Sequence, residues 1–591
     1  MKKLFTILIA SLLVLTACSS KPKAGGTLTV AAPSNFNGDF IAGFSSNAYD
    51  RWVQELLNYD YGVFYSDRET SDLLDNPTVV EKVDVADKGG DKEYTFTLKA
   101  GNKFSDGTEI TAKDYVFTVL MRANPKWKAT AKMDNTGDKL VGYADYSAGK
   151  SATFDGVKYI DDKTFSLTIS KDELPYYFER ASVAVSPTPM AAWFKDAKFN
   201  ADGNGFDNTD EEITAAVKEI SEKERFAPTV TAGPYKFESN ENNTATVVVN
   251  EHYAGNFEGK TPSIEKVVVR QVESSLSIQA LENNEVDFVP GVIEGKLINQ
   301  AKEKELQTHS YPRNGFGNIV LKANKGPTQI KEVRQALGFL LNRQEFVSKI
   351  VGGYGSVVNA PYGLSQWFYK ENKDRIESEL IEYTYNLTKA NELLDQTDYK
   401  FEKDGSTPFD VEKASEDYRR HNSKGEKLLI KHFGSEKNDV TDLIISQLVP
   451  AATEAGVEYA VDQGDFATLG AYMQGTQDND YNAFNLATSF TSMYDPWQNE
   501  SQYVNTGLNW SDIEDDKLDA TIKAVQTTKP GDKDAFADNI MEYFKVWNDL
   551  LFQIPLYSNE YFDITTTRVK GVDVITPEMD WAKSIVYLSV E

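Results

Sequence analysis

Residues 94–116 constrain this chain more than any other stretch. Tyr94-Thr95-Phe96-Thr97-Leu98-Lys99 alternates large apolar and polar residues, which predicts a half-buried strand. Asn102 to Gly107 breaks the alternation, and Ser105-Asp106-Gly107 is turn chemistry, with Gly free to take positive φ. Thr111 then stands as the N-cap of a helix opening Ala112-Lys113-Asp114. Asp114 occupies N3, the place of the acid in a capping box.

Ahead of this stretch lies a targeting segment. Lys2 and Lys3 form a basic start, and Leu4 to Leu15 is apolar apart from Thr6 and Ser11, short for a bilayer span. Leu15-Thr16-Ala17-Cys18 resembles a bacterial lipoprotein box. Residues 1–18 are thus expected to be signal peptide and lipobox, with Cys18 the lipidated first residue of the mature chain and residues 19–26 a tether. Diacylglycerol brings two acyl chains, enough for stable anchoring. Cys18 is the only cysteine, so the mature chain is left without disulfides or thiol chemistry. The formal charge of −28 disfavours nucleic acid or an anionic membrane surface as partner, and mildly favours cationic ligands. With 591 residues, 40% of them hydrophobic, the chain can build more than one domain.

In order, residues 25–31 read as a first strand and Tyr49 to Leu57 as a helix. Ile160 to Ile169 reads as a turn and an alternating strand, and Gly233-Pro234 opens a strand at Tyr235. Val333 to Val347 carries apolar residues three and four apart and reads as one helix. Phe401 to Lys424 reads as a charged, solvated excursion. Leu428 to His432 and Val457 to Val461 read as strands around a helix, Val440 to Ala455, an alternation that implies a parallel unit.

Several of these strings resemble the solute-binding proteins of ABC peptide importers, the oligopeptide and dipeptide class. The strongest are residues 94–116, Thr231-Ala232-Gly233-Pro234-Tyr235, Val333-Arg334-Gln335-Ala336-Leu337 and Gln553-Ile554-Pro555-Leu556-Tyr557. The resemblance covers nearly all of the mature chain. It implies an α/β, two-lobed periplasmic-binding-protein-like fold with an extra inserted domain. Lobe I would comprise 27–65, 230–312 and 558–591, the inserted smaller domain 66–229, and lobe II 313–557. It further implies a lipid-anchored monomer facing the extracellular side, which hands oligopeptides to ABC permease subunits, without cofactor and without catalysis. An oligosaccharide binder of the same family and a peptide-signal sensor are the alternatives.

By the same resemblance, three segments would contact ligand. They are Gly43, Phe44 and Ser45 after the first strand; Thr488, Ser489, Phe490, Thr491 and Ser492, with Asp495 and Trp497 beyond; and Tyr557 and Asn559. Some relatives carry an acid, four residues before the Pro that is Pro496 here, which pairs with the peptide amine. This chain has Ser492 there, so a fixed amine anchor is in doubt, with Asp495 the nearest acid. Phe490 and Trp497 could equally be core residues.

Other chemistries find little support. His252, His309, His421 and His432 show no ligand spacing, which disfavours the nickel and haem carriers of this family. No Walker A loop and no Gly-x-Ser-x-Gly elbow is present. Acid pairs such as Asp515-Asp516 are uninformative in so acidic a chain. Asn200 to Glu211 has the spacing of a calcium loop, but Asn200 stands at the first position and Asp207 at the eighth, so it reads as an acidic surface loop. Cys18→Ala is expected to abolish lipidation and release the protein from cells, as fractionation would show; membrane retention equal to wild type would sink the lipobox reading.

Overall fold

The computed structural model describes residues 24–45, 47–68, 70–491, 493–504 and 508–591. Cys18, residues 19–23 of the tether and Ser492 lie outside these. Among the described residues, no helix is long and apolar enough to cross a membrane.

One strand, Gln553–Thr565, organises the two lobes. It is buried along nearly its whole length, as its apolar run Ile554-Pro555-Leu556-Tyr557 requires. Its first half pairs with Gly315–Leu321, and its second half with Gln307–Pro312 on one edge and Phe288–Val292 on the other. A single twelve-stranded sheet therefore runs through both lobes. Pro555 cannot donate to the ladder, and it sits where the register shifts between Gly317 and Asn318. The boundary placed at 557/558 thus falls inside a continuous strand. The boundary at 312/313 falls where Gln307–Pro312 gives way to Gly315–Leu321.

In lobe I, Thr27–Ala32 runs parallel to Lys266–Gln271. In lobe II, Leu429–Ser435 runs parallel to Glu458–Gly464, with the helix Asp439–Glu454 between them, the parallel unit expected from the alternation. Residues 94–116 fold as read. Tyr94, Phe96 and Leu98 point inward from the strand Asp91–Leu98. The Asp114 carboxylate accepts from Thr111 N at 2.9 Å and caps the helix Ala112–Ala123. Their four-stranded antiparallel sheet shares one apolar core with lobe I, where Phe96 and Phe165 join Leu28, Val30 and Trp581. The inserted segment is thus a lateral extension of lobe I.

One local reading needs correction. Val333 to Val347 is two helices, Lys331–Phe339 and Arg343–Lys349. The chain turns at Asn342 so that the buried Arg343 guanidinium can donate to the carbonyls of Tyr383, Val358 and Pro555. The three-and-four spacing persists because both helices face one core. The excursion at 401–424 is largely solvated, as read, and is pinned at its end by Arg420, only 1% exposed, which donates to Ala455 O, Asp395 and Asn391. The segment from Asn200 is a largely exposed loop, as read: the Asn200 amide is spent on Asn204, and Glu212 caps the next helix.

Residues 176–178 reach from the inserted segment into lobe II. The Tyr177 ring stacks on Phe536 at 4.1 Å, and Tyr177 N donates to Gln526 O at 2.9 Å. Lys533 pairs with Asp72 at 2.9 Å across the same junction. The structure is therefore a closed form, with the lobes in contact. Thr111→Ala should lower stability by ~1 kcal/mol, a typical cap loss. Asp114→Ala should cost ~1–3 kcal/mol, because it strands the buried N–H groups of Thr111 and Met190. Urea unfolding of the two variants checks the order, which would be reversed if the Thr111 hydroxyl carried the cap.

Candidate functional site

The strand Ala483–Ser489 bounds the space between the lobes. One edge pairs with Gly315–Leu321 along its full length. The other edge pairs with Leu429–Ser435 only at Ala483 and Phe484. The flanking bonds Phe490 N→Asn314 O and Lys322 N→Asn482 O set the alternation of the antiparallel ladder. By that alternation the backbone groups of Asn485, Ala487 and Ser489 point to the opposite edge, where no strand among the described residues pairs with them. Such an edge is a template for an extended chain.

The C-terminal end of this edge, at Thr488 and Ser489, borders a cavity of about 760 Å³ between the lobes. Thr488, Ser489, Phe490, Thr491 and Asp495 all line it. The opposite wall comes from the inserted segment, chiefly residues 135–139 and Tyr176. Phe490 also packs on Phe316 and Tyr494, so it serves both core and wall. Arg313 ties this edge to the hinge: its Nη2 donates to Ser489 Oγ at 2.8 Å, and its Nη1 lies 3.4 Å from Asn559 Oδ1.

The other candidates sit elsewhere. Trp497 stacks on Tyr503 under the Lys523 ammonium, off the cavity wall. Tyr557 is in the lobe II core, its ring over Gly317, where a Cβ would come within 3.0 Å of it. Asn559 is fully buried in the hinge. Phe44 packs edge-on against Trp127, with the Arg225 guanidinium on its ring. Gly43 lies against Asp134 and Ser45 bonds Asp50, and neither lines the interlobe cavity. Ser492 lies outside the described residues.

Of the three acids on the cavity wall, Asp138 is exposed on the inserted segment, and the other two are already committed. Asp495 caps the short helix Pro496–Glu500 through Trp497 N at 3.1 Å, and also takes bonds from Gln526 and the Tyr176 hydroxyl. Burial pushes its carboxyl up. Glu500 accepts from Tyr543 OH at 2.6 Å and from Trp547 Nε1 at 3.2 Å, and burial holds it at about 8. Neither offers a free carboxylate for a peptide amine. Glu500, Tyr176 and residues 135–139 were absent from the sequence candidates. No local signal marks them, because they meet only through the closed fold. No group of three or more His, Cys, Asp or Glu that could hold a metal occurs among the described residues.

Comparison with known proteins places the chain. The profile of the bacterial extracellular solute-binding proteins, family 5 Middle, matches residues 77–511. The chain belongs to this family. The oligopeptide-binding protein OppA of Lactococcus lactis subsp. cremoris (strain SK11) is 22% identical over 528 residues, 85% of this chain and 80% of that protein. The oligopeptide-binding protein AppA of Bacillus subtilis (strain 168) is 22% identical over 592 residues, 94% and 93% of the two chains. Among solved structures, lactococcal OppA in its closed, peptide-bound form superposes with a TM-score of 0.72 at 19% identity, over 96% of this chain and all of that one. These structures share the two-lobed fold.

The buried acids predict a pH dependence. Burial raises Glu500 and Glu55 to about 8, Asp563 to about 7 and Asp60 to about 6. Each keeps its proton in the folded chain at pH values where the unfolded chain has lost it. Their contribution is fully present below the ordinary carboxylate range near 4 and is lost as pH rises through about 6 to 8. Stability should therefore fall from pH 5 to pH 8.5. At ~1.4 kcal/mol per pKa unit, one such group is worth on the order of a few kcal/mol over that window. Glu500→Gln should flatten the melting temperature against pH; an unchanged slope would show that Glu500 is ionised in the fold.

Proposed function

We propose that this chain captures oligopeptides between its two lobes and delivers them to the permease of an ABC importer, as a monomer held on the outer face of the cell membrane by lipid on Cys18. One observation carries the peptide reading: the unpaired edge at Asn485–Ser489 runs into the interlobe cavity at its Thr488–Ser489 end. Family membership and the oligopeptide-binding relatives support it. An extended peptide can add to this edge through its backbone alone, which gives affinity without side-chain choice. Side chains then project into a roomy cavity where water can adapt to each. The anchoring reading rests on the leader and its lipobox. Binding and release require no turnover, so peptides offered to the protein should come back intact.

Titration calorimetry tests how the ligand is held. Asp495 and Glu500 are spent on protein partners, and the third wall acid, Asp138, is exposed on the inserted segment, where a pair with an amine is worth little. An N-acetylated peptide should bind about as well as the free one. N-methylating central amides should cost ~0.5–1.5 kcal/mol for each bond removed, and more where a buried acceptor is stranded. A large loss on acetylation with little on central N-methylation would refute backbone pairing as the main source of affinity.

A further inference from the structure

A second cavity of about 530 Å³ adjoins the interlobe one, and the two share Thr136 and Ala184 as walls. The second lies between the helix Ala48–Asn58, the helix Ala112–Ala123 and residues 184–189. Three cations reach its walls: Arg51, Arg122 and Lys583. Lys583 is 3.5 Å from the Glu55 carboxylate. Arg122 Nη1 is 3.2 Å from Asp134, but its buried Nε–H has no acceptor. Arg51 is exposed, and its side chain has no hydrogen bond or ion pair among the described residues.

Glu55 stands one turn from Arg51 on the same helix face. Burial and the hydrogen-bonded neighbour Asp580 push the Glu55 carboxyl up to about 8, so at neutral pH it is neutral and its proton is spent on Asp580. The acid left on the wall is Glu578, which takes a bond from Asn314 Nδ2 at 3.5 Å. In a chain of net charge −28, unspent donors from Arg51 and Arg122 are gathered on one cavity. Buried polar groups are normally paired, so the missing partner is an acceptor, and a charged acceptor answers both best.

We propose that this cavity is a carboxylate subsite, in which Arg51 and Arg122 hold an acidic group of the bound peptide, either its C-terminal carboxylate or an Asp or Glu side chain. The source of the carboxylate rests on the peptide-binding reading above; the anion site itself does not. The ligand is then held by its backbone and an acid, and not by its amine.

Two measurements on the full chain decide it. The first is thermal unfolding in rising glutarate, with uncharged glutaramide at matched ionic strength as control. Glutarate alone should raise the melting temperature of the wild type, as any ligand of the native state does, and Arg51→Gln should abolish the rise. Arg51 holds nothing else in place, so this variant keeps the fold. The second is calorimetry with one peptide as free acid, as C-terminal amide, and with its internal Glu changed to Gln. Whichever change removes the engaged carboxylate should weaken binding roughly tenfold or more, the scale of one charge-assisted bond, and Arg51→Gln should level the difference. Loss in the amide identifies the terminus, and loss in the Gln peptide identifies the side chain. Peptides that bind equally well in all three forms, with no glutarate shift, would overturn the subsite and leave the peptide reading standing. Glutarate stabilisation that Arg51→Gln removes, with no peptide bound, would keep the anion site and sink the peptide reading.

Discussion

Backbone pairing along Gln553–Thr565 is the constraint on which both lobes depend. A buried strand must satisfy every N–H and C=O, and this one does so with partners from both lobes in turn. The lobes thus share a ladder at the hinge, with Arg313 N donating to Asn559 O at 2.8 Å. Relative motion must be taken up where the ladder is weakest. The register shift at Gly317–Asn318 and the proline opposite it mark one such place, since a proline leaves a bond unmade. The same strand holds the cleft floor: Ser558 Oγ donates to Gly315 O at 2.7 Å, at the foot of the strand that supports the free edge.

The two walls are made by different means. On the lobe II side, Tyr494, Tyr543 and Trp547 surround Glu500, and a protonated acid with aromatic donors is a neutral, rigid wall. On the lobe I side, charges remain: Arg51, Arg122 and Lys583 with Glu578. This asymmetry is invisible in the net charge. The formal charge argued mildly for cationic ligands, yet the wall acids Asp495, Glu500 and Glu55 are capped or protonated, and Arg51 and Arg122 keep unspent donors. Field arguments from composition hold at long range; contact chemistry depends on which groups the fold has already used.

How much of this the sequence carried depended on range. Residues 94–116 were legible because a strand, a turn and a capping box are each decided within a few residues. The parallel unit around residues 439–454 was legible for the same reason. The wall at Thr488–Asp495 came from family resemblance, and the interlobe cavity is lined by those residues. Phe44, Trp497 and Tyr557 are large apolar side chains near the cleft segments, and the fold uses them in packing, which periodicity could not distinguish from contact with a ligand. The opposite wall at 135–139 and Tyr176 was not legible at all. These residues lie more than 300 positions from Thr488 in the chain and meet it only because a shared core fuses the inserted segment to lobe I. The break at Asn342 was hidden because both helices keep one apolar face.

That fusion decides what closing means here. Lobe I and the inserted segment share one apolar core, so they are built to move as a unit against lobe II. Opening about the hinge must withdraw the Tyr177 ring from Phe536, break Tyr177 N→Gln526 O and separate Lys533 from Asp72. The exposed ion pair is worth little, and the ring contact and the buried bond are worth more. Part of the stability of the closed form therefore belongs to the protein itself, so a ligand must supply only the remaining difference between the open and closed forms. A side-chain-blind backbone template needs that arrangement. If closure depended wholly on ligand contacts, peptides lacking a favourable side chain would leave the lobes open, and pairing along Asn485–Ser489 alone would have to offset the entire cost.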